Sequence, residues 1–416
     1  MPASERSILT DLPRVLVAPT RFGDGERLAG GWVRFGAVRL TIGGRATVVP
    51  LGQVRAAIAP LPAEVRAAVR RRCDALVARR AAVAGLDMAR PHVMGIVNVT
   101  PDSFSDGALR PGGGDPVAAA RAMAAAGASL IDIGGESTRP GAQDVPVAEE
   151  LARVMPVLAA LLPSRLREGP GVGSPDYSKD DPRTTPLPSP LGEGRETREA
   201  RPGGGAVPGT GLRSTPPPPA PPLKGRGGSP TLVSIDTRKA AVMAAALDAG
   251  AALVNDVSAL THDPAAAALL AARGCPVVLM HAQGTPATMQ LDPRYDDVVG
   301  EVFDGLEARI DAAVAAGIAR DRIVADPGIG FGKTAAHNVA LLRNLAAFHA
   351  LGVPLLLGAS RKALIARLAR DEAPPAARLG GSLALALHGV ACGVQIVRVH
   401  DVPETVQALR VAGAIA

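Results

Sequence analysis

Aromatic side chains are scarce: one Trp, two Tyr and six Phe make up 2% of 416 residues. With 47% hydrophobic residues overall, Ala, Val and Leu must build the core. Because no basic run is interleaved with aromatics, the formal charge of +6 is poor support for a nucleic-acid surface. It does permit an anionic ligand. Cysteine is equally sparse. Cys73, Cys275 and Cys392 lie far apart without CxxC spacing, which excludes a disulfide framework or a zinc site and fits a reducing compartment. Nor is there a basic stretch followed by an apolar segment at the N-terminus, or a run of about 18 apolar residues long enough for a membrane span. A soluble cytoplasmic protein, with neither nucleic acid nor membrane as partner, is the expectation.

What is present is a rhythm. Strand-like runs recur near residues 93–98, 129–133, 232–236, 252–255, 277–280, 322–325, 354–357 and 395–398. Ala/Leu-rich stretches of helical length separate them, at 116–126, 239–249, 264–273, 298–316 and 336–350. Gly127, Gly250, Gly274, Gly317 and Gly352 stand where left-handed C-caps are wanted. Eight strands alternating with helices predict an α/β protein, a (β/α)8 TIM barrel rather than an open doubly wound sheet. No GxGxxG follows the first strand, which further disfavours a dinucleotide fold. The barrel is assigned to 91–416. Residues 1–90 form an N-terminal extension of unknown role, with a loosely alternating run over 33–51, a candidate hairpin turn at Gly43-Gly44, and an Ala/Arg-rich helix over 61–86. Within the barrel, 163–230 is crowded with Pro, Gly, Ser and Arg and cannot bury enough surface to offset its ordering entropy. It reads as a disordered low-complexity insertion between the second helix and the third strand, on the face opposite the polar loops.

Each strand delivers polar groups at its C-terminal end only, where a barrel gathers them into one cavity. The first run, MGIVNVTPDSFSDG over 94–107, passes from buried strand to dense polar loop at Asn98. The second ends in Gly134-Gly135-Glu136-Ser137-Thr138-Arg139-Pro140, and the others in Asp236-Thr237-Arg238, Asn255-Asp256, His281 with Gln283, Asp326-Pro327-Gly328, Ser360-Arg361-Lys362 and Arg398-Val399-His400-Asp401. Any one of these is explained as well by helix capping, and for Asp236 or Ser360 alone an N-cap is the better account. Eight together make a site. Asp236, Asn255, Asp326 and Lys362 mix donors and acceptors suited to the edge of a flat heterocycle. Asn98, Arg139, Arg398 and His400 form a more cationic set suited to phosphate oxygens. Ser360 is expected to open a helix whose N-terminal amides favour a carboxylate. DPGIGFGKT resembles a phosphate loop in composition but lacks the GxxxxGK[ST] spacing.

These motifs, with GGESTRPGA, SIDTRK, VNDVSA, MHAQGTPATMQ, GASRKALI and RVHDV, resemble those of the dihydropteroate synthases of the pterin-binding TIM-barrel group, in the family's order and over about 93–414 apart from the insertion. The resemblance implies that 6-hydroxymethyl-7,8-dihydropterin pyrophosphate condenses with 4-aminobenzoate to give dihydropteroate and pyrophosphate. It further implies that Asp236, Asn255, Asp326 and Lys362 bind the pterin, with Met280 and Phe331 lining the ring slot. Asn98 would hold Mg²⁺, Arg398 and His400 the pyrophosphate with Arg139 nearby, and Thr138, Pro140 and Ser360 would border the aminobenzoate. Asp236, Lys362 and Arg398 are the expected catalytic groups, and a homodimer paired through the last helices is the expected assembly. Two rivals stand beside this reading. A pterin-binding methyltransferase shares the barrel and the Asp/Asn/Asp set but needs no pyrophosphate site, so the STRPGA, SRK and RVHD motifs disfavour it. A catalytically silent paralogue is disfavoured by the complete set of site residues.

Overall fold

In the N-terminal region, β1 (Val15–Arg27), β2 (Arg34–Ile42) and β3 (Arg45–Pro50) form an antiparallel sheet in chain order. Gly43 and Gly44 both take positive φ, +54° and +80°, and pair Ile42 with Arg45, the geometry a two-residue hairpin requires. The hairpin is where the sequence placed it; β1 was not legible, because its second half, Phe22 to Arg27, loses both alternation and apolar content. Helix α1 spans Ala63–Val77, shorter than the expected 61–86. Val83 and Leu86 instead form a short bridge. The computed structural model describes residues 13–100, 114–137, 142–162, 231–284 and 288–415. The low-complexity segment 163–230 thus lies outside the described residues. Its flanks, Leu162 after a helix and Thr231 before a strand, lie at the strand N-terminal end of the barrel.

Eight parallel strands follow: β4 (His92–Asn98), β5 (Leu130–Gly134), β6 (Leu232–Asp236), β7 (Leu253–Asp256), β8 (Val277–Met280), β9 (Ile323–Asp326), β10 (Leu356–Leu357) and β11 (Ile396–Val399). A parallel bridge from Ala325 to Leu355 joins β9 to the β10 segment and closes the ring. All eight expected strands are present within one or two residues of their predicted limits. Helices α2 (Pro116–Ala126), α3 (Val147–Leu161), α4 (Ala240–Asp248), α5 (Ala266–Arg273), α6 (Val298–Ala315), α7 (Ala335–Arg343), α8 (Ala363–Ala369) and α9 (Leu379–Ala391) return the chain between strands. All five glycines expected to end helices take positive φ.

Strand alternation sorts the core into two shells. Met94, Leu130, Leu253, Val278, Val324, Leu356 and Ile396 face inward as one cluster, with Leu232 packed against it: one residue from each strand. Val83, Leu86 and Met88 join this cluster and plug the strand N-terminal end. Neighbours one step along, such as Val93, Ile131, Val233 and Leu279, face outward under the helices. At roughly 1.5–3 kcal/mol per fully buried aliphatic side chain, this floor is a large part of what holds the ring together. The N-terminal sheet and α1 share the outer core: Trp32 Nε1–H donates to the Val390 carbonyl at 3.0 Å, and the Arg72 guanidinium lies 4.5 Å from the Phe303 ring centre.

Candidate active site

Two residues beyond the floor, about 6.6 Å along the strand, the inward position turns charged or amide on four strands, while on β8 it stays apolar at Met280. Leu130 is followed by Asp132, Leu253 by Asn255, Val278 by Met280, Val324 by Asp326 and Ile396 by Arg398. Another two residues give the rim: Asn98, Asp236, Ser360 and His400. The same pleat that seals one end of the barrel therefore stacks two tiers of chemistry at the other.

Arg398 is the centre of the middle tier. Its Nε–H donates to Asp132 Oδ2 and its Nη2–H to Asp236 Oδ2, both at 2.6 Å. Asn255 Nδ2–H also donates to Asp132 Oδ2, at 2.9 Å. Asp132 is fully buried. Burial, with the neighbouring charges of Asp132, Glu150 and Asp256, raises the Asp236 carboxyl to about 7 against the opposing pull of Arg398. For Arg398 burial works against the charge, but Asp132 and Asp236 more than offset it and its pKa is raised.

Lys362 lies opposite. Its ammonium stands 4.2 Å from the Phe331 ring centre and donates to the Ile329 carbonyl. Burial pushes it down to about 7, with the Asp326 charge opposing. Asp326 is raised by burial, Lys362 and the Gly328 N–H working against the shift. Gly328 takes φ +68°, and a Cβ there would lie 1.9 Å from the His281 carbonyl oxygen, so only glycine fits this turn. Met280 is buried and Phe331 half-buried, and a cavity of about 400 Å³ opens beside them, lined also by Val257, His281 and Arg309. Lys333 is buried beneath Phe331. Its Nζ lies 2.9–3.1 Å from the carbonyls of His281, Gly328 and Phe331 and from His281 Nδ1, and burial lowers its pKa to about 7.

At the rim the capping account is set aside. Neither Asp236 nor Ser360 caps a helix: Lys239 and Lys362 are the N-cap residues, without side-chain caps. Helix α8 begins at Ala363 (Ala363–Ala369), so Ser360 does not open it as expected; Arg361 takes φ +58° and delays the start. Ser360 Oγ instead accepts the His400 N–H at 3.2 Å and lies 3.1 Å from His400 Nδ1. Arg361 pairs with Asp401 and ties the last two strand ends together. Asn98 is half-buried at the end of β4. Thr138, Arg139 and Pro140 lie outside the described residues. The ends of their loop are held by a buried ion cluster: Lys239 Nζ lies 2.8 Å from Glu150 Oε2 and 3.1 Å from Glu136 Oε2, and Arg238 Nη2 lies 2.8 Å from Glu136 Oε1.

Asp132 and Lys333 had been passed over in the sequence. For Asp132 the signal was there: an acid two residues past an inward leucine, inside an otherwise apolar strand. Lys333 carries no such pattern, since its burial is set by the turn around Gly328.

The model of the family described as pterin binding enzyme matches residues 94–167 and 223–400, so the N-terminal sheet and most of the low-complexity segment fall outside it. The chain is 40% identical over 329 residues to the dihydropteroate synthase of Escherichia coli (strain K12), a match covering 79% of this chain and 93% of that one. Among solved structures, the Yersinia pestis dihydropteroate synthase with a sulfonamide drug complex superposes with a TM-score of 0.61 at 38% identity, over 81% of this chain and 98% of that chain. The Xanthomonas albilineans dihydropteroate synthase with 4-aminobenzoic acid gives 0.59 at 39% identity, over 81% and 97%. With motifs, barrel and strand-end residues all in agreement, the chain belongs to the pterin-binding enzymes, in the dihydropteroate synthase family.

Proposed function

We propose that the strand-end residues divide the synthase reaction between a pterin set and a pyrophosphate set, each drawing on both tiers. The chain is a transferase of folate biosynthesis: 4-aminobenzoate displaces pyrophosphate from 6-hydroxymethyl-7,8-dihydropterin pyrophosphate. Asp236, Asn255, Asp326 and Lys362 take the pterin edge, with the ring between Met280 and Phe331. Arg398 and His400 take the pyrophosphate, with Arg139 beside them. Ser360, Thr138 and Pro140 border the amine. The observation that carries this division is the middle tier itself, where an acid, an amide, an acid and a guanidinium from four strands face one volume.

The chain's own groups suit each stage. Arg398 neutralises charge on the leaving pyrophosphate as the carbon–oxygen bond at the pterin methylene breaks. The Asp236 carboxylate stabilises the cation left on the methylene. The arylamine nitrogen then bonds that carbon and releases its proton to water or pyrophosphate. The amine is weakly basic and already nucleophilic, so no strong general base is needed. A Mg²⁺ ion fits this scheme at Asn98. Among the described residues no group of three or more His, Cys, Asp or Glu side chains could hold a metal, so one amide oxygen at the rim calls for an ion coordinated mainly by pyrophosphate and water. Such an ion would supply charge neutralisation to the leaving group. We further propose a homodimer paired through the last helices, supported by the exposed Val411 and Ile415 at the end of α10 (Val402–Ala414). Among the described residues no helix is long and apolar enough to cross a membrane.

The test is pyrophosphate release by the purified chain with pterin pyrophosphate, Mg²⁺ and 4-aminobenzoate. Release that depends on the amine is expected. Pterin binding without release would return the reading to a silent paralogue or a methyltransferase.

A further inference from the structure

Asp132 belongs to none of the groups assigned above, yet it touches two of them. We propose that Asp132 is a positioning residue that couples the pterin-binding amide Asn255 to the pyrophosphate-binding guanidinium Arg398, an inference that rests on the substrate roles given to those two residues. One carboxylate oxygen, Oδ2, accepts from Asn255 Nδ2 at 2.9 Å and from Arg398 Nε at 2.6 Å. These residues come from β7 and β11, on either side of β5. Asp132 is fully buried, so this anion is held in place only by the donors it receives.

The geometry gives the two donors fixed tasks. With Nδ2 engaged by Asp132, Asn255 is left to present its carbonyl oxygen as an acceptor, which sets the amide orientation. Arg398 is gripped at Nε, the root of its planar fork, while Nη2 reaches Asp236 at 2.6 Å. A guanidinium held at its root keeps its outer edge aimed toward the rim, where Asp236 and His400 stand. Among the described residues the second oxygen, Oδ1, is buried without a partner, and so is the Oγ of Ser234, the residue paired with Asp132 on the adjacent strand. Both assigned contacts therefore run through the single oxygen Oδ2.

The experiment is a double-mutant cycle on Asp132→Asn and Arg398→Met, reading the affinity for pterin pyrophosphate by calorimetry and KM for each substrate. Asp132→Asn keeps the shape and one acceptor, so near-ultraviolet circular dichroism of each variant checks that it folds. Asp132→Asn is expected to weaken pterin pyrophosphate binding on the order of 30-fold while KM for 4-aminobenzoate stays within about twofold. In the Arg398→Met background the same change should cost at most a few-fold, because of the two groups it positions only Asn255 remains. Full additivity of the two changes would overturn the proposal and leave the role of Arg398 intact. Wild-type binding by Arg398→Met would overturn both. A fall in folded fraction with unchanged KM values in Asp132→Asn would assign the residue a structural role only and overturn the proposal.

Discussion

The two ends of this barrel are built from the same eight strands and share almost no chemistry. At the N-terminal end Met94, Leu130, Leu253, Val278 and their neighbours meet Val83, Leu86 and Met88 in a sealed hydrocarbon floor. Two residues further, Asp132, Asn255, Asp326 and Arg398 fill the same cross-section with charge and amide. The floor supplies the rigidity and excludes water, so that the charges above it act at short range in a poorly screened volume. Stability and function are therefore separable along the strand axis, and substitutions at the two ends should fail in different ways.

The sharpest break of that comparison is Lys362→Met. Loss of the ammonium should lower kcat/KM by roughly 10²–10³-fold. Because that ammonium is already depressed to about 7 by burial, the melting temperature should hold or rise. Activity and thermal melts on the same preparation check both. Leu130→Ala at the floor should do the opposite: about 2–5 kcal/mol of lost stability in denaturant titrations, with the folded enzyme keeping near-normal KM values.

A pH profile sharpens the comparison at the polar end. Asp236, raised to about 7, loses its negative charge as pH falls through that value; Lys362, lowered to about 7, loses its positive charge as pH rises through it. A kcat/KM profile for pterin pyrophosphate with both limbs near pH 7 is expected. Lys362→Arg should extend the alkaline limb upward, since a guanidinium stays charged. The smallest effect belongs to the N-terminal sheet, which stands apart from both ends. Trp32→Phe removes the Nε1–H bond to the Val390 carbonyl together with part of a buried ring and should cost about 1–2 kcal/mol in chemical denaturation, with kinetics unchanged.

The strands were legible because alternation and terminal glycines are local signals, and the polar tiers followed because Asp236, Asn255, Asp326 and Arg398 stand at or next to the ends of strands that were themselves visible. Two kinds of feature were not. β1 is a strand whose bulge between Phe22 and Glu26 breaks its period, and the segment Leu345–Leu351 that it packs against is more than about 300 residues away. Ser360 looked like the start of a helix because Ser is a good cap, but the left-handed Arg361 and the His400 contact fix it otherwise, and neither is a local property. Asp132 is the intermediate case: its inward direction follows from Leu130 by counting, whereas its two partners required the closed ring.

Everything proposed for this site rests on the pterin being read by Asp236, Asn255, Asp326 and Lys362. The most direct measurement is a crystal structure of the chain with 7,8-dihydropteroate. The pterin ring is expected between Met280 and Phe331, with its donor edge on Asp236 and Asp326 and an acceptor facing Lys362. A ring bound outside the ring of strands, or with its edge turned away from these carboxylates, would contradict it.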